Sequence, residues 1–175
     1  NVIEGIDVAD VDVGILLQNE LSGVNIDLLI NNAGILRNEV LGDLDFHSIQ
    51  QQFEVNTLGP LRVTEALLPQ ASKGAKVAFI TSRMGSIADN GSGGRYGYRM
   101  SKASLNIAAV SLAKDVASRD ISVAILHPGL VGTEMIGGHG DITPKQAAER
   151  LADRIDELTL ETSGTFWHSN GDELP

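Results

Sequence analysis

Apolar and polar positions along the chain alternate between two periods, short continuous runs of strand length and longer stretches with helical spacing. Residues 2–8 read as a first short strand. Asp10 or Asp12 is placed to cap a short helix containing Ile15, Leu16 and Leu17. Ile26 to Ile30 (IDLLI) is a continuous apolar run, the pattern of a strand covered on both faces, and it ends in Asn31-Asn32-Ala33-Gly34. A long helix is expected from Asp43 to Leu68, with Phe46, Ile49, Phe53, Leu61, Val63 and Leu67 among its apolar positions. Gly59-Pro60 is expected to bend it, because proline removes a helical hydrogen bond. KVAFI (76–80) is the next strand, and a polar, glycine-rich loop runs from Gly85 to Gly97. A second long helix spans Tyr98 to Ser118, with Leu105, Ala108, Ala109, Leu112 and Val116 at helical spacing. ISVAIL (121–126) is a strand stopped by His127-Pro128-Gly129. Thr143-Pro144 opens a helix reaching about Leu158, and Thr165 to His168 makes a last short strand.

Four strands, a fifth at the N-terminus and helices between them predict an α/β protein built of βαβ units around a parallel sheet. No linker divides the chain, so residues 1–175 are expected to form a single domain. Hydrophobic residues at 42% and charged residues at 21% suit a globular protein with a real core. The formal net charge of -10 argues against nucleic acid and against an anionic membrane surface, since both need clustered cations. The chain contains no cysteine, which removes disulfides, thiolate metal sites and cysteine nucleophiles. Its four histidines, His47, His127, His139 and His168, show no metal spacing, and no metal is expected. No apolar run is long enough to span a membrane, and the opening NVIEGIDVADVD has no basic or long apolar stretch. A cytoplasmic protein is the expectation.

Ligands of open parallel sheets bind beyond the carboxyl ends of the strands. Three groups of residues fall there: Asn31-Asn32-Ala33-Gly34, Thr81-Ser82 and His127-Pro128-Gly129. Their small, hydroxyl and amide side chains suit a flat cofactor approached by backbone atoms. Tyr98 and Lys102 are four apart at the start of a predicted helix and so share a face. A cation beside the phenol favours phenolate and lowers its pKa, which would make Tyr98 a general acid or base for a carbonyl or alcohol. Ser82 could hydrogen-bond the same substrate oxygen. Taken singly, each of these features has an ordinary reading: Asn-Asn-Ala-Gly as a turn, Asn56 as a surface amide, Ser82 as a turn cap and Pro128-Gly129 as a strand stop.

Taken in order, they carry a resemblance. Asn31-Asn32-Ala33-Gly34, Asn56 in Val55-Asn56-Thr57, Ser82 in Ser82-Arg83-Met84-Gly85, Tyr98-Arg99-Met100-Ser101-Lys102, and Pro128-Gly129 with Thr133 resemble the short-chain dehydrogenase/reductase family over nearly the whole chain. Within it, residues 81–102 and the ending SGTF (163–166) with GDELP (171–175) look most like the C-factor and sniffer-like carbonyl reductases. The resemblance implies a Rossmann-like three-layer fold, a parallel sheet with helices on both faces. It implies hydride transfer between NAD(P)(H) and a carbonyl or secondary alcohol, with NADP(H) favoured over NAD(H). Tyr98 would exchange the proton, and Lys102 would hold the nicotinamide ribose and depress the tyrosine pKa. Ser82 would orient the carbonyl, and Asn56 would hold a proton-relaying water. Asp7 and Val8 would meet the adenine, Asn32, Ala33 and Gly34 the adenosine, and Pro128, Gly129, Val131 and Thr133 the nicotinamide end. A homodimer or homotetramer is the implied assembly.

Two departures qualify that resemblance. The family's opening glycine-rich turn is absent, and Gly91-Ser92-Gly93-Gly94 lacks the spacing to replace it. The N-terminal β-α-β part is therefore expected to be missing, leaving Leu28 to Ile30 as an unpaired edge and the chain as part of a longer gene product or an incomplete one. The alternative is a catalytically incompetent fragment serving as a protein-interaction or signalling module. Ser82 and Tyr98 are also about three residues further apart than is common in the family, so the intervening loop is expected to bulge and shape the substrate entrance.

Overall fold

The computed structural model describes residues 2–175. Four parallel strands form one sheet in the order β1 (Ile26–Asn31), β2 (Ala71–Ile80), β3 (Ser122–His127) and β4 (Phe166–His168). Five α-helices connect and flank them: α1 (Val13–Glu20), α2 (Phe46–Phe53), α3 (Gly59–Leu67), α4 (Tyr96–Val116) and α5 (Pro144–Asp156).

Successive side chains of a strand point to opposite faces, so the apolar runs of β2 and β3 feed two cores at once. Val77, Phe79, Val123 and Ile125 face α4, where they bury Leu105, Ala109, Ala113 and Val116. Ala78, Ala124 and Leu126 face the other way, onto Ile155 of α5 and Leu158 just beyond it. The two helix layers and the sheet between them make the expected three-layer arrangement. A third cluster joins Val13 and Leu17 of α1 to Val63 and Leu67 of α3.

β1 departs from the expectation of a strand covered on both faces. Leu29 packs beneath α3, but Leu28 and Ile30 remain 45% and 47% exposed on the α5 side. Among the described residues β1 pairs only with β2, so it is the edge strand expected at Leu28 to Ile30. The strand read over residues 2–8 does not form. That segment has no ladder partner, and without inter-strand hydrogen bonds an extended run is not a strand. Ile6 and Val8 keep their apolar contacts with α1 and α3.

The long helix expected from Asp43 to Leu68 is interrupted. A π-helical turn at Glu54–Leu58 separates α2 from α3. Pro60 has no N–H, so the Asn56 carbonyl four residues earlier lacks its helical donor, and the ladder widens there. Asp45 caps α2 by accepting from Ser48 N. α5 starts at Pro144 with a full capping box between Thr143 and Gln146. No helix among the described residues is long and apolar enough to cross a membrane.

Candidate active site

The carboxyl ends of β1, β2 and β3 open into a cleft of about 1110 Å³. Its lining includes Asn32, Ala33 and Gly34 after β1, Thr81 and Ser82 after β2, Tyr98 and Lys102 on α4, and Pro128, Gly129, Val131 and Thr133 after β3. These groups come from four separated stretches of sequence, and the fold delivers them to one rim of the parallel sheet.

Tyr98 and Lys102 begin the stripe of α4 that continues through Leu105, Ala109, Ala113 and Val116. Core packing of that stripe fixes their direction. Lys102 is 4% exposed, donates to Ile80 O at 2.9 Å and lies 5.9 Å from the Tyr98 ring centroid. Burial pulls its ammonium down to about 8. Burial also raises the Tyr98 phenol above its ordinary 10, while the Ser82 side chain and the charge of Arg95 pull it back. The structure thus differs from the expected lowering of Tyr98 by Lys102. Desolvation outweighs the charges around the phenol, and the nearby cation that acts on it is Arg95.

Asn56 sits in the π-helical turn, wholly buried and outside the cleft lining. Its Oδ1 accepts from Ile35 N at 2.8 Å, and its Nδ2 donates to Ile35 O at 2.8 Å and Ser101 Oγ at 3.0 Å. The side chain therefore clamps the loop after β1 to α4. A Cβ on Gly34 would lie 3.3 Å from Asn56 Oδ1 and 3.6 Å from Lys102 Nζ, so this glycine keeps the floor of the cleft open between them. Asp7 and Val8 are not in the cleft. Asp7 accepts from Ala9 N at 2.9 Å, and Val8 packs where a Cβ on Gly59 would be 2.9 Å away.

The residues present fit the nicotinamide and ribose end of a dinucleotide. Lys102 has one acceptor among the described residues for three N–H bonds, the cleft is open at Gly34, and Thr133 and Gly129 border it. No group of three or more His, Asp or Glu capable of holding a metal occurs among the described residues.

The sequence reading placed His127 at the rim without giving it a role, and it passed over Glu39 and the arginines of the cleft. His127, at the end of β3, has a buried Nδ1 with no hydrogen-bond partner among the described residues, and burial first and His168 second hold its pKa down to about 4. The two rings meet edge-on at 4.9 Å. Glu39 is buried at 2% exposure and accepts from Ser48 Oγ, Gln52 Nε2 and Gly97 N, anchoring the start of α4. Nothing in local sequence marks Glu39, since its partners lie up to 58 residues away. Arg83, Arg95 and Arg99 line the cleft, and their clustering between Ser82 and Lys102 was a visible signal. The bulging loop does form part of the cleft wall, through Asp89 and Ser92. Arg99 pins it by donating to Gly93 O, Gly94 O and Ser92 Oγ.

Residues 17–157 match the family described as short chain dehydrogenase. The chain is 47% identical over 153 residues to a 1-hydroxy-2-glutathionyl-2-methyl-3-butene dehydrogenase of Rhodococcus sp. (strain AD45), covering 85% of this chain and 68% of that one. It is 44% identical over 153 residues to the C-signal protein of Myxococcus xanthus, covering 86% and 92%. Among solved structures, the carbonyl reductase Sniffer of D. melanogaster superimposes with a TM-score of 0.88 at 27% identity, over 97% of this chain and 75% of that one. An NADPH-bound carbonyl reductase from chicken fatty liver gives 0.89 at 29% identity, over 99% and 76%.

Proposed function

Because this chain belongs to the short-chain dehydrogenase family, a family of NAD(P)-dependent oxidoreductases, we propose that its cleft interconverts a carbonyl and a secondary alcohol, with Tyr98 as the proton donor and acceptor. The observation that carries the reading is the convergence of Ser82, Tyr98 and Lys102 on one cleft bordered by Gly34 and Gly129. A bound nicotinamide would supply the hydride. NADP(H) is the preferred form in this reading, supported by the NADPH-bound carbonyl reductase to which the fold is similar.

The chain's own residues supply position and protons. A raised phenol pKa keeps Tyr98 protonated at neutral pH, as a proton donor to a carbonyl oxygen must be. Ser82, close enough to lower that pKa, hydrogen-bonds the same oxygen and orients it. Lys102, with a pKa near 8, stays mostly charged at pH 7 and holds ribose hydroxyls with its remaining N–H bonds. The Asn56 carbonyl, deprived of a donor by Pro60, holds a water that passes protons from Lys102 to solvent. The opposing reading is a scaffold that binds partners without cofactor, and the convergence of Ser82, Tyr98 and Lys102 on one cleft supports the reductase over it.

Titration with NADPH followed by the fluorescence of Trp167, the single tryptophan, tests the cofactor step. Micromolar binding and carbonyl-dependent NADPH oxidation are expected. Tyr98→Phe should lower kcat by about 10³ or more while cofactor affinity changes less than about threefold. Near-normal turnover in that variant would remove the role given to Tyr98.

A further inference from the structure

The cleft collects positive charge out of an acidic chain. Four of the thirteen Lys and Arg residues line it, Arg83, Arg95, Arg99 and Lys102, against two of the twenty-three Asp and Glu, Asp89 and Glu134. Arg83 is neutralised by Asp89, Nε to Oδ2 at 2.7 Å. Arg99 is spent on the carbonyls and hydroxyl of the loop. Glu134 stands on the other wall, in the loop after β3.

Arg95 differs from all of these. Its side chain is exposed in the cleft, and its nearest polar contact is the sulfur of Met84 at 3.7 Å. No carboxylate partners it among the described residues. Its backbone is left-handed, φ 50° and ψ 48°, a conformation that glycine adopts at less cost. Gly93 and Gly94 immediately before it are left-handed too, so a glycine at 95 would have continued the run. Arg95 N donates to Glu39 O at 2.9 Å, and Arg95 O accepts from Arg99 N, so the residue is held in place as the cap of α4. A strained, tethered position that carries an unpaired guanidinium three residues before Tyr98 indicates a function for that guanidinium. Apolar side chains also line the cleft, Leu36, Met84, Met135, Ile136 and Leu151 among them.

The geometry points to a substrate that carries a carboxylate or similar anion on an apolar body, read by Arg95 while Ser82 and Tyr98 take the carbonyl. This inference rests on the reductase reading of the site and adds the substrate class. An anion here meets a planar donor that can bind it in two places at once.

Three matched ketones test it: 4-acetylbenzoic acid, its methyl ester and 4-acetyl-N,N,N-trimethylanilinium. The protein should prefer them in that order in kcat/KM, with at least a tenfold gap between acid and ester that narrows as salt is raised. Arg95→Gly suits the left-handed backbone, so its melting temperature should not fall, while the acid-to-ester ratio should drop about tenfold. Arg95→Lys should recover part of that ratio. An equal preference for acid and ester, or a ratio unchanged in Arg95→Gly, would overturn the inference. Kd values for acid and ester, measured by calorimetry, separate this outcome from failure of the reductase reading. If neither ketone is reduced but the acid still binds tenfold more tightly in an Arg95-dependent way, the anion site stands and the reductase assignment falls.

Discussion

Two helical segments carry the proposed site residues, and they do so in opposite ways. α4 runs unbroken for 21 residues and presents Tyr98 and Lys102 on the stripe that packs the core. The segment from Phe46 to Leu67 breaks in its middle, and Asn56 lies in the break. An intact helix is suited to aiming side chains, because i and i+4 positions share a face and the apolar face locks the rotation. A broken one is suited to freeing backbone, because a carbonyl without its i+4 donor can serve another partner. The polar clamp of Asn56 on Ile35 and Ser101 ties the two segments together and fixes the loop after β1 against α4.

Replacing Lys102 gives the largest expected effect on this contrast. Lys102→Met keeps the helix and the stripe, yet kcat should fall by about 10² or more. Stability should move the other way. A pKa of about 8 in the fold against an ordinary 10.5 means that holding the charged form inside costs roughly 3 kcal/mol below pH 8. Loss of the partner for Ile80 O offsets about 1–3 kcal/mol of this. The variant should therefore melt about 0–8 °C higher at pH 7. The folded pKa is the lower of the two, so the unfolded chain binds more protons between pH 8 and 10.5 and the parent gains stability as pH rises through that window. The variant's advantage should vanish and then reverse as pH rises from 8 to 10.5 in denaturant titrations. A variant that melts lower at pH 7 would show that Lys102 is a packing residue instead.

Asn56→Ala attacks the clamp. It strands Ile35 N and O and leaves a cavity, with an expected loss of about 2–4 kcal/mol in denaturant titration. A loss below about 1 kcal/mol would mean that water replaces the amide and that the clamp is not what joins the two segments.

Pro60→Ala is the gentlest change and the sharpest for the comparison. It returns an N–H to the Asn56 carbonyl and lets the helix heal. Turnover should fall about tenfold while NADPH affinity holds within about twofold, measured by steady-state kinetics and fluorescence titration. Unchanged turnover would separate the break in the helix from proton relay.

The order of elements was legible from residue pattern alone, and the reasons can be read at particular positions. The runs KVAFI and ISVAIL are apolar throughout because β2 and β3 are covered on both faces. Thr143-Pro144 marked the start of α5 because proline at the first turn loses nothing there. Ser82 and Gly34 were legible as cleft residues because the ends of parallel strands converge, and Tyr98 and Lys102 because positions four apart share a helix face and match the family resemblance. The strand read over residues 2–8 was not a strand, since apolar composition reports burial and not whether a neighbour offers hydrogen bonds. The same blindness hid the one-sided burial of β1.

Sequence by itself determined which side chains can ionise, where helices start, and that Pro60 must leave a carbonyl without its donor. Those properties are local, set by the chemistry of one residue and its neighbours within a turn. Tertiary structure alone decided that Tyr98 is raised and not lowered, that Glu39 anchors α4 from 58 residues away, and that Arg95 stands unpaired in the cleft. Desolvation and charge pairing depend on what the folded chain brings alongside a group, and no stretch of sequence contains that information.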